Sequence, residues 1–138
     1  MRNLGYSLCA SLAVLSVGAA PLAHPAGHET QVDQPQLEAL LRATLEGVDG
    51  TEVIVSRVSL PPHAKPPRHW HPGEEFAYIL SGSTTLFLGD NELVRYEAGA
   101  VAKVPLKAAH HIETGPNGVS LLVFRVHQAG EPERVLVD

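Results

Sequence analysis

This 138-residue sequence predicts an all-β domain, an antiparallel sandwich or barrel, and three observations carry that prediction. Apolar and β-branched residues alternate with polar ones over short runs, most clearly from Thr51 to Leu60, which is the period of two that half-buried strands require. These runs are cut by turn formers, among them 12 glycines and 11 prolines, and short strands at turn-separated intervals mark sandwiches and barrels. Helical spacing is confined to one short stretch near residue 40.

The chain begins with a short positive start, Met1-Arg2-Asn3, followed by an almost uncharged apolar stretch from Leu4 to Val17 and then small residues at Gly18, Ala19, Ala20 and Ala23. This layout predicts a secretory signal peptide over residues 1–23, since the apolar core is short for a membrane span. The mature protein is then exported, periplasmic or secreted, and is not embedded in a membrane. Cys9, the single cysteine, leaves with the peptide, which excludes disulfide and thiol chemistry afterwards. Residues 24–36 are polar and rich in turn formers and read as a flexible leader, and residues 37–138 suit one domain with one small core. A formal net charge of −5 provides no basic face, so nucleic acid is not an expected partner.

Within the domain, Leu37, Leu40, Leu41, Thr44 and Leu45 lie at helical spacing behind Pro35, which predicts a short helix. In the strand from Thr51 to Leu60, Val53, Val55 and Arg57 take one face and Ile54, Ser56, Val58 and Leu60 the other. Pro61, Pro62, Pro66 and Pro67 stiffen the loop that follows. Phe76 to Leu80 reads as a strand that ends at Ser81-Gly82. Thr84 to Leu88 and Leu93 to Tyr96 flank a hairpin signature at Gly89-Asp90-Asn91-Glu92. Ser120 to Val126 and Val135 to Val137 complete the set.

The chemistry gathers around His69-Trp70-His71-Pro72-Gly73-Glu74-Glu75. Two histidines separated by one residue on an extended backbone project to the same face, with Trp70 opposite. Pro72-Gly73 turns the chain, and Glu75 stands at the mouth of the next strand, where its carboxylate can reach back to the imidazoles. Neutral imidazole and carboxylate are ligands for borderline divalent metals. A third imidazole from a neighbouring strand would complete the site, and the segment from Gly99 through Pro105 supplies His110.

These two segments resemble the paired motifs of the cupin superfamily: H-x-H, three residues, E, six residues, G; then G, five residues, P, four residues, H. Both spacings hold, through His69, His71, Glu75 and Gly82 and through Gly99, Pro105 and His110. The resemblance implies a single cupin jelly-roll barrel over roughly Val53 to Val126, with His69, His71, Glu75 and His110 as the metal ligands. It also implies an edge strand near residues 41–46, so that the short helix would run into it, and a homodimer formed through edge strands at 41–46 or 135–137. Three departures concern loop shape: His63 and Lys107 stand where glycine is usual, and Thr114 where asparagine is usual.

Three neutral imidazoles and one carboxylate leave a six-coordinate divalent ion two open positions, which favours chemistry over a structural role. Iron, manganese, zinc and copper all remain open. Alternation from Glu75 places Ala77, Ile79 and Ser81 in a small, mostly apolar pocket. Arg57 and Lys103 read as solvated charges, His63 and His127 as exposed, His111 as pointing away from the metal, and Glu74 as facing outward. Two function classes follow: a metal-dependent oxygenase or lyase acting on a small enolic, diketone or oxo-acid molecule, or a non-catalytic module that binds a metal or small ligand.

Overall fold

The computed structural model describes residues 32–90 and 92–137; the expected signal peptide and most of the expected leader lie outside them. Eight strands form among the described residues: β1 (Gln36–Thr44), β2 (Thr51–Leu60), β3 (His69–Trp70), β4 (Glu74–Leu88), β5 (Glu92–Glu97), β6 (Val101–Val104), β7 (His110–Gln128) and β8 (Val135–Leu136). All pair antiparallel. The all-β expectation holds, and the sheet curls on itself as a jelly roll.

Curling depends on β4 and β7, each long enough to serve both layers. The first half of β4 pairs with β6 and with the far half of β7, from Glu74↔Val126 to Gly82↔Val119; its second half pairs with β5 and the near half of β7, from Thr84↔Thr114 to Leu88↔His110. Register shifts at Ile79/Ser81 and Gly82/Thr84 mark the bend. The strand expected to stop at Ser81-Gly82 therefore continues to Leu88. Gly82 permits this with φ 74, and a Cβ there would lie 2.1 Å from the Gly118 carbonyl oxygen, so the turn signal marks a bend inside one strand. Between the layers, Leu60, Ala77, Ile79, Ala102, Val119, Leu121 and Val123 form the core.

The expected helix near residue 40 is instead part of β1, which pairs with β2 from Gln36↔Ser59 to Thr44↔Glu52. A register shift between Ala39 and Leu41 explains the misleading pattern. One extra residue breaks the alternation, so Leu37, Leu40 and Leu41 mimic a period of 3.6 within a strand.

The three departures from the motif are resolved locally. His63 and Lys107 adopt φ 55 and φ 56, so both corners keep the left-handed backbone without glycine. The Thr114 hydroxyl donates to the Pro61 carbonyl at 2.6 Å and accepts from the Ala64 amide at 2.8 Å, tying the proline-rich loop to β7. Lys107 is exposed and its amide donates to the His71 carbonyl at 3.1 Å. Lys107→Gly is expected to stabilise the fold by about 0.5–1 kcal/mol, because relief of the left-handed strain exceeds the extra chain entropy of glycine. A urea midpoint equal to or below that of the parent protein would contradict this.

Candidate metal centre

Strand register brings the histidines together. His69 of β3 lies directly opposite His110 at the start of β7, and His71 follows two residues after His69, on the same side. The ring centroids are 4.8 Å apart for His69 and His71, 4.5 Å for His69 and His110, and 5.2 Å for His71 and His110. One ring nitrogen from each lies within 4.8 Å of the other two. His71 and His110 are 2% and 3% exposed.

Each ring is oriented from behind by a backbone carbonyl. Nδ1 of His69 faces the Pro67 oxygen at 2.8 Å, Nδ1 of His110 faces the Ala108 oxygen at 3.0 Å, and Nδ1 of His71 faces the Glu133 oxygen. A carbonyl only accepts, so each Nδ1 carries the proton and each neutral ring keeps its Nε2 lone pair for a cation. Burial pulls the His69 ring down to about 4 against the opposing Pro67 hydrogen bond, with smaller contributions from His110 and His71. His110 is lowered as well, again mainly by burial. His69 therefore stays neutral, as a ligand must be, down to about pH 4, and burial favours the neutral form of His110 as well.

Glu75 does not join the triangle symmetrically. Its Oε2 lies 3.0 Å from His71 Nε2 and accepts from Arg125 Nε at 2.8 Å. Burial pushes its carboxyl upward, but the His71 ring and the Arg125 guanidinium outweigh burial and hold it at about 2. His71 thus faces acceptors with both nitrogens, while a neutral imidazole has one N–H to give. Either a second proton or a cation must lie between Nε2 and the carboxylate. Adjacent ligands at about 2.1 Å from one ion stand ~3.0 Å apart, so the pair fits a shared divalent metal, and the donor set of three nitrogens and one oxygen suits it.

These shifts fix a pH dependence for the metal-free protein. As pH falls through 6.5, unfolded His69 takes up a proton that the folded ring refuses until about 4. Unfolded Glu75 protonates near 4.5, whereas the folded carboxyl stays ionised to about 2. In both windows the unfolded chain binds more protons, so stability falls with pH, first from about 6.5 to 4 and then from about 4.5 to 2. The expected result is a melting temperature that declines continuously from pH 7 to pH 3, and a flat profile would contradict it.

Arg125 is the residue that motif reasoning missed. It lies opposite Glu75 and Ile54, is buried, and also reaches Glu133 Oε2 at 3.4 Å with Nη1. Glu133 in turn pairs with Arg42. The available signal was alternation: with Leu121 and Val123 inward on β7, residue 125 is inward too. Neither Arg57 nor Lys103 lines the cavity. Arg57 is exposed, and Lys103 pairs with the outward Glu74 at 2.8 Å. His111 stacks on Phe87 with centroids 4.6 Å apart, turned away from the other histidines as expected. His63 is exposed as expected, but His127 is only 1% exposed. That expectation is corrected because β7 extends past Val126 and carries His127 inward, where its Nε2 meets the Glu131 carbonyl at 3.0 Å.

The histidines open onto a cavity of about 630 Å³. Ala77 and Ile79 line it as alternation predicts, while the register shift at Ile79/Ser81 breaks the pattern before Ser81. The pocket is larger than the small one expected, since Val58 of β2, Leu86 of β4, Tyr96 of β5 and Ile112 of β7 line it as well.

Comparison with known proteins agrees with this architecture. The cupin domain family matches residues 56–124, half the chain. The chain is a cupin. No curated protein sequence matches this cupin, but solved structures do. A DMSP lyase from Ruegeria pomeroyi is 23% identical with a TM-score of 0.63, over 76% of this chain and 52% of that one. An RmlC-like cupin with a double-stranded β-helix fold from Methanocaldococcus jannaschii is 20% identical with a TM-score of 0.61, over 73% and 85%. Oxalate decarboxylase from Bacillus subtilis is 17% identical with a TM-score of 0.59, over 80% and 33%. This cupin thus spans about half the length of the lyase and a third of the decarboxylase, and at these identities the likeness is one of fold.

Proposed function

We propose that this cupin is an exported metal-dependent enzyme, an oxygenase or lyase acting on a small oxygen-rich molecule of the enol, diketone or oxo-acid type. The observation that carries the reading is the shared orientation of three imidazoles: each has its Nδ1 tied to a carbonyl, and the ring nitrogens left for a ligand converge beside a carboxylate. His69, His71 and His110 would hold iron, manganese, zinc or copper, with Glu75 as the fourth ligand. A bound divalent metal would supply Lewis acidity at the cavity wall. Arg125 keeps Glu75 ionised, and the apolar wall excludes water from the bound molecule. The DMSP lyase and oxalate decarboxylase named above support a small-molecule substrate by fold analogy.

The test is elemental analysis of purified mature protein followed by turnover assays. About one metal per chain is expected, together with transformation of at least one catechol, flavonol, diketone or 2-oxo acid by protein loaded in turn with iron, manganese, copper and zinc. Protein that holds the metal and binds one of these compounds without transforming any would instead be a binding module.

This cupin also acts as a homodimer in this reading. Leu41, Tyr78, Val101, Phe124 and Val126 are exposed and lie across β1, β4, β6 and β7 on the face away from the cavity, a patch that monomers seldom leave bare. A second copy would cover it, with β1 as the exposed edge beside it. Sedimentation should give the mass of two chains, and the mass of one would exclude the dimer.

A further inference from the structure

The cavity is divided chemically into two ends. His69, His71, His110, Glu75 and Arg125 cluster at one end, whereas the opposite wall is formed by side chains such as Val58, Leu60, Ile79, Ala102, Leu121 and Val123. The polar groups that touch this wall are largely engaged. The Thr84 hydroxyl donates to the Glu113 carbonyl at 3.1 Å, and Lys65 pairs with the Glu113 carboxylate at 2.6 Å. Arg125 is held between Glu75 and Glu133. Gln36 and Arg134 border the cavity from exposed positions.

A second carboxylate placed against this wall would lose its hydration with no buried cation to receive it, which is costly. An oxalate-sized diacid would also leave most of the 630 Å³ facing apolar carbon, although pockets of about 300–1,000 Å³ enclose much larger ligands. Resting on the reading that the histidines hold a metal, we infer that the natural ligand is amphiphilic. It carries one pair of neighbouring oxygens, which chelates the metal, on an aryl or alkyl body of about six to ten carbons that fills the apolar end. The wall thus selects for the body of the ligand, and Ala102, buried at 6% exposure, is a specificity-determining position within it.

Calorimetry on zinc-loaded protein with three ligands sharing one head group tests this. Pyruvate presents the 2-oxo-acid head alone, phenylpyruvate adds an aryl body, and 2-oxoglutarate adds a second carboxylate. Phenylpyruvate is expected to bind at least about tenfold more tightly than pyruvate, because its ring leaves water for the wall, and 2-oxoglutarate no more tightly than pyruvate. In Ala102→Phe, which fills the apolar end, the advantage of phenylpyruvate over pyruvate should fall below about threefold while the zinc stoichiometry stays that of the parent. If that variant does not fold, the parent series decides by itself. Equal affinities for the three ligands, or tightest binding of 2-oxoglutarate, would overturn the inference while leaving the metal centre in place. Failure of the parent protein to hold zinc would overturn both.

Discussion

His71→Ala is expected to reduce metal content from about one ion per chain to near zero, with affinity falling by more than the ~100-fold at which loss of an orienting partner is capped. His71 is the hinge of the site because it both contributes a ring nitrogen to the triangle and contacts the Glu75 carboxylate at 3.0 Å. Its removal therefore takes away one donor and frees a second. Binding that is confined to the folded state raises stability by about 2.7 kcal/mol when free metal is at 100 times its dissociation constant. Zinc should accordingly raise the melting temperature of the parent protein and leave that of the variant unmoved. A variant that keeps its zinc, with an unchanged circular dichroism spectrum, would show that the histidine triangle is not the binding site.

Arg125→Ala is expected to cost about 3–5 kcal/mol, the usual consequence of leaving one member of a buried ion pair without its partner. Both sides of the pair are enclosed, with side-chain exposures of 10% for Arg125 and 12% for Glu75. At roughly 4–8 °C per kcal/mol for a domain of this size, the melting temperature of the metal-free protein should drop by more than about 12 °C. Replacing both partners, as in Glu75→Leu with Arg125→Met, should recover most of the loss, since a packed apolar pair avoids the desolvation penalty altogether. Loss of less than about 1 kcal/mol in Arg125→Ala would mean that Glu75 is held by something other than the guanidinium.

How much of this was legible in the sequence depends on the distance over which each feature is set. His69 and His71 share a face through backbone alternation alone, and the paired motif spacings brought His110 to them. An antiparallel sandwich or barrel followed from the same alternation, and the resemblance to cupins narrowed it to a jelly roll. Arg125 sits 50 residues from Glu75; alternation along β7 could have turned it inward, but only the β4–β7 register sets it opposite Glu75, so its role could not be read from its own segment. The Leu37, Leu40, Leu41 spacing misled because an inserted residue in a strand produces the same intervals as a helical turn. Cavity size was invisible for a related reason: it depends on how far the two layers separate, which is set by the summed volumes of side chains from seven strands and by no one segment. His127 appeared isolated because the end of β7 could not be read from composition.

The Glu133 carbonyl that orients His71 lies in the stretch between β7 and β8, and β8 is fastened to the segment carrying His69 and His71 through Trp70↔Val135, His69↔Leu136 and the Val137 amide on the Arg68 carbonyl at 3.0 Å. Residues 131–137 thus work as a strap buckled across the back of the imidazoles. A protease that nicks this strap, or a bulky fusion that pulls on it, would release the His71 ring to turn its proton into the triangle, and a barrel whose walls were still intact would lose its grip on any ion held there.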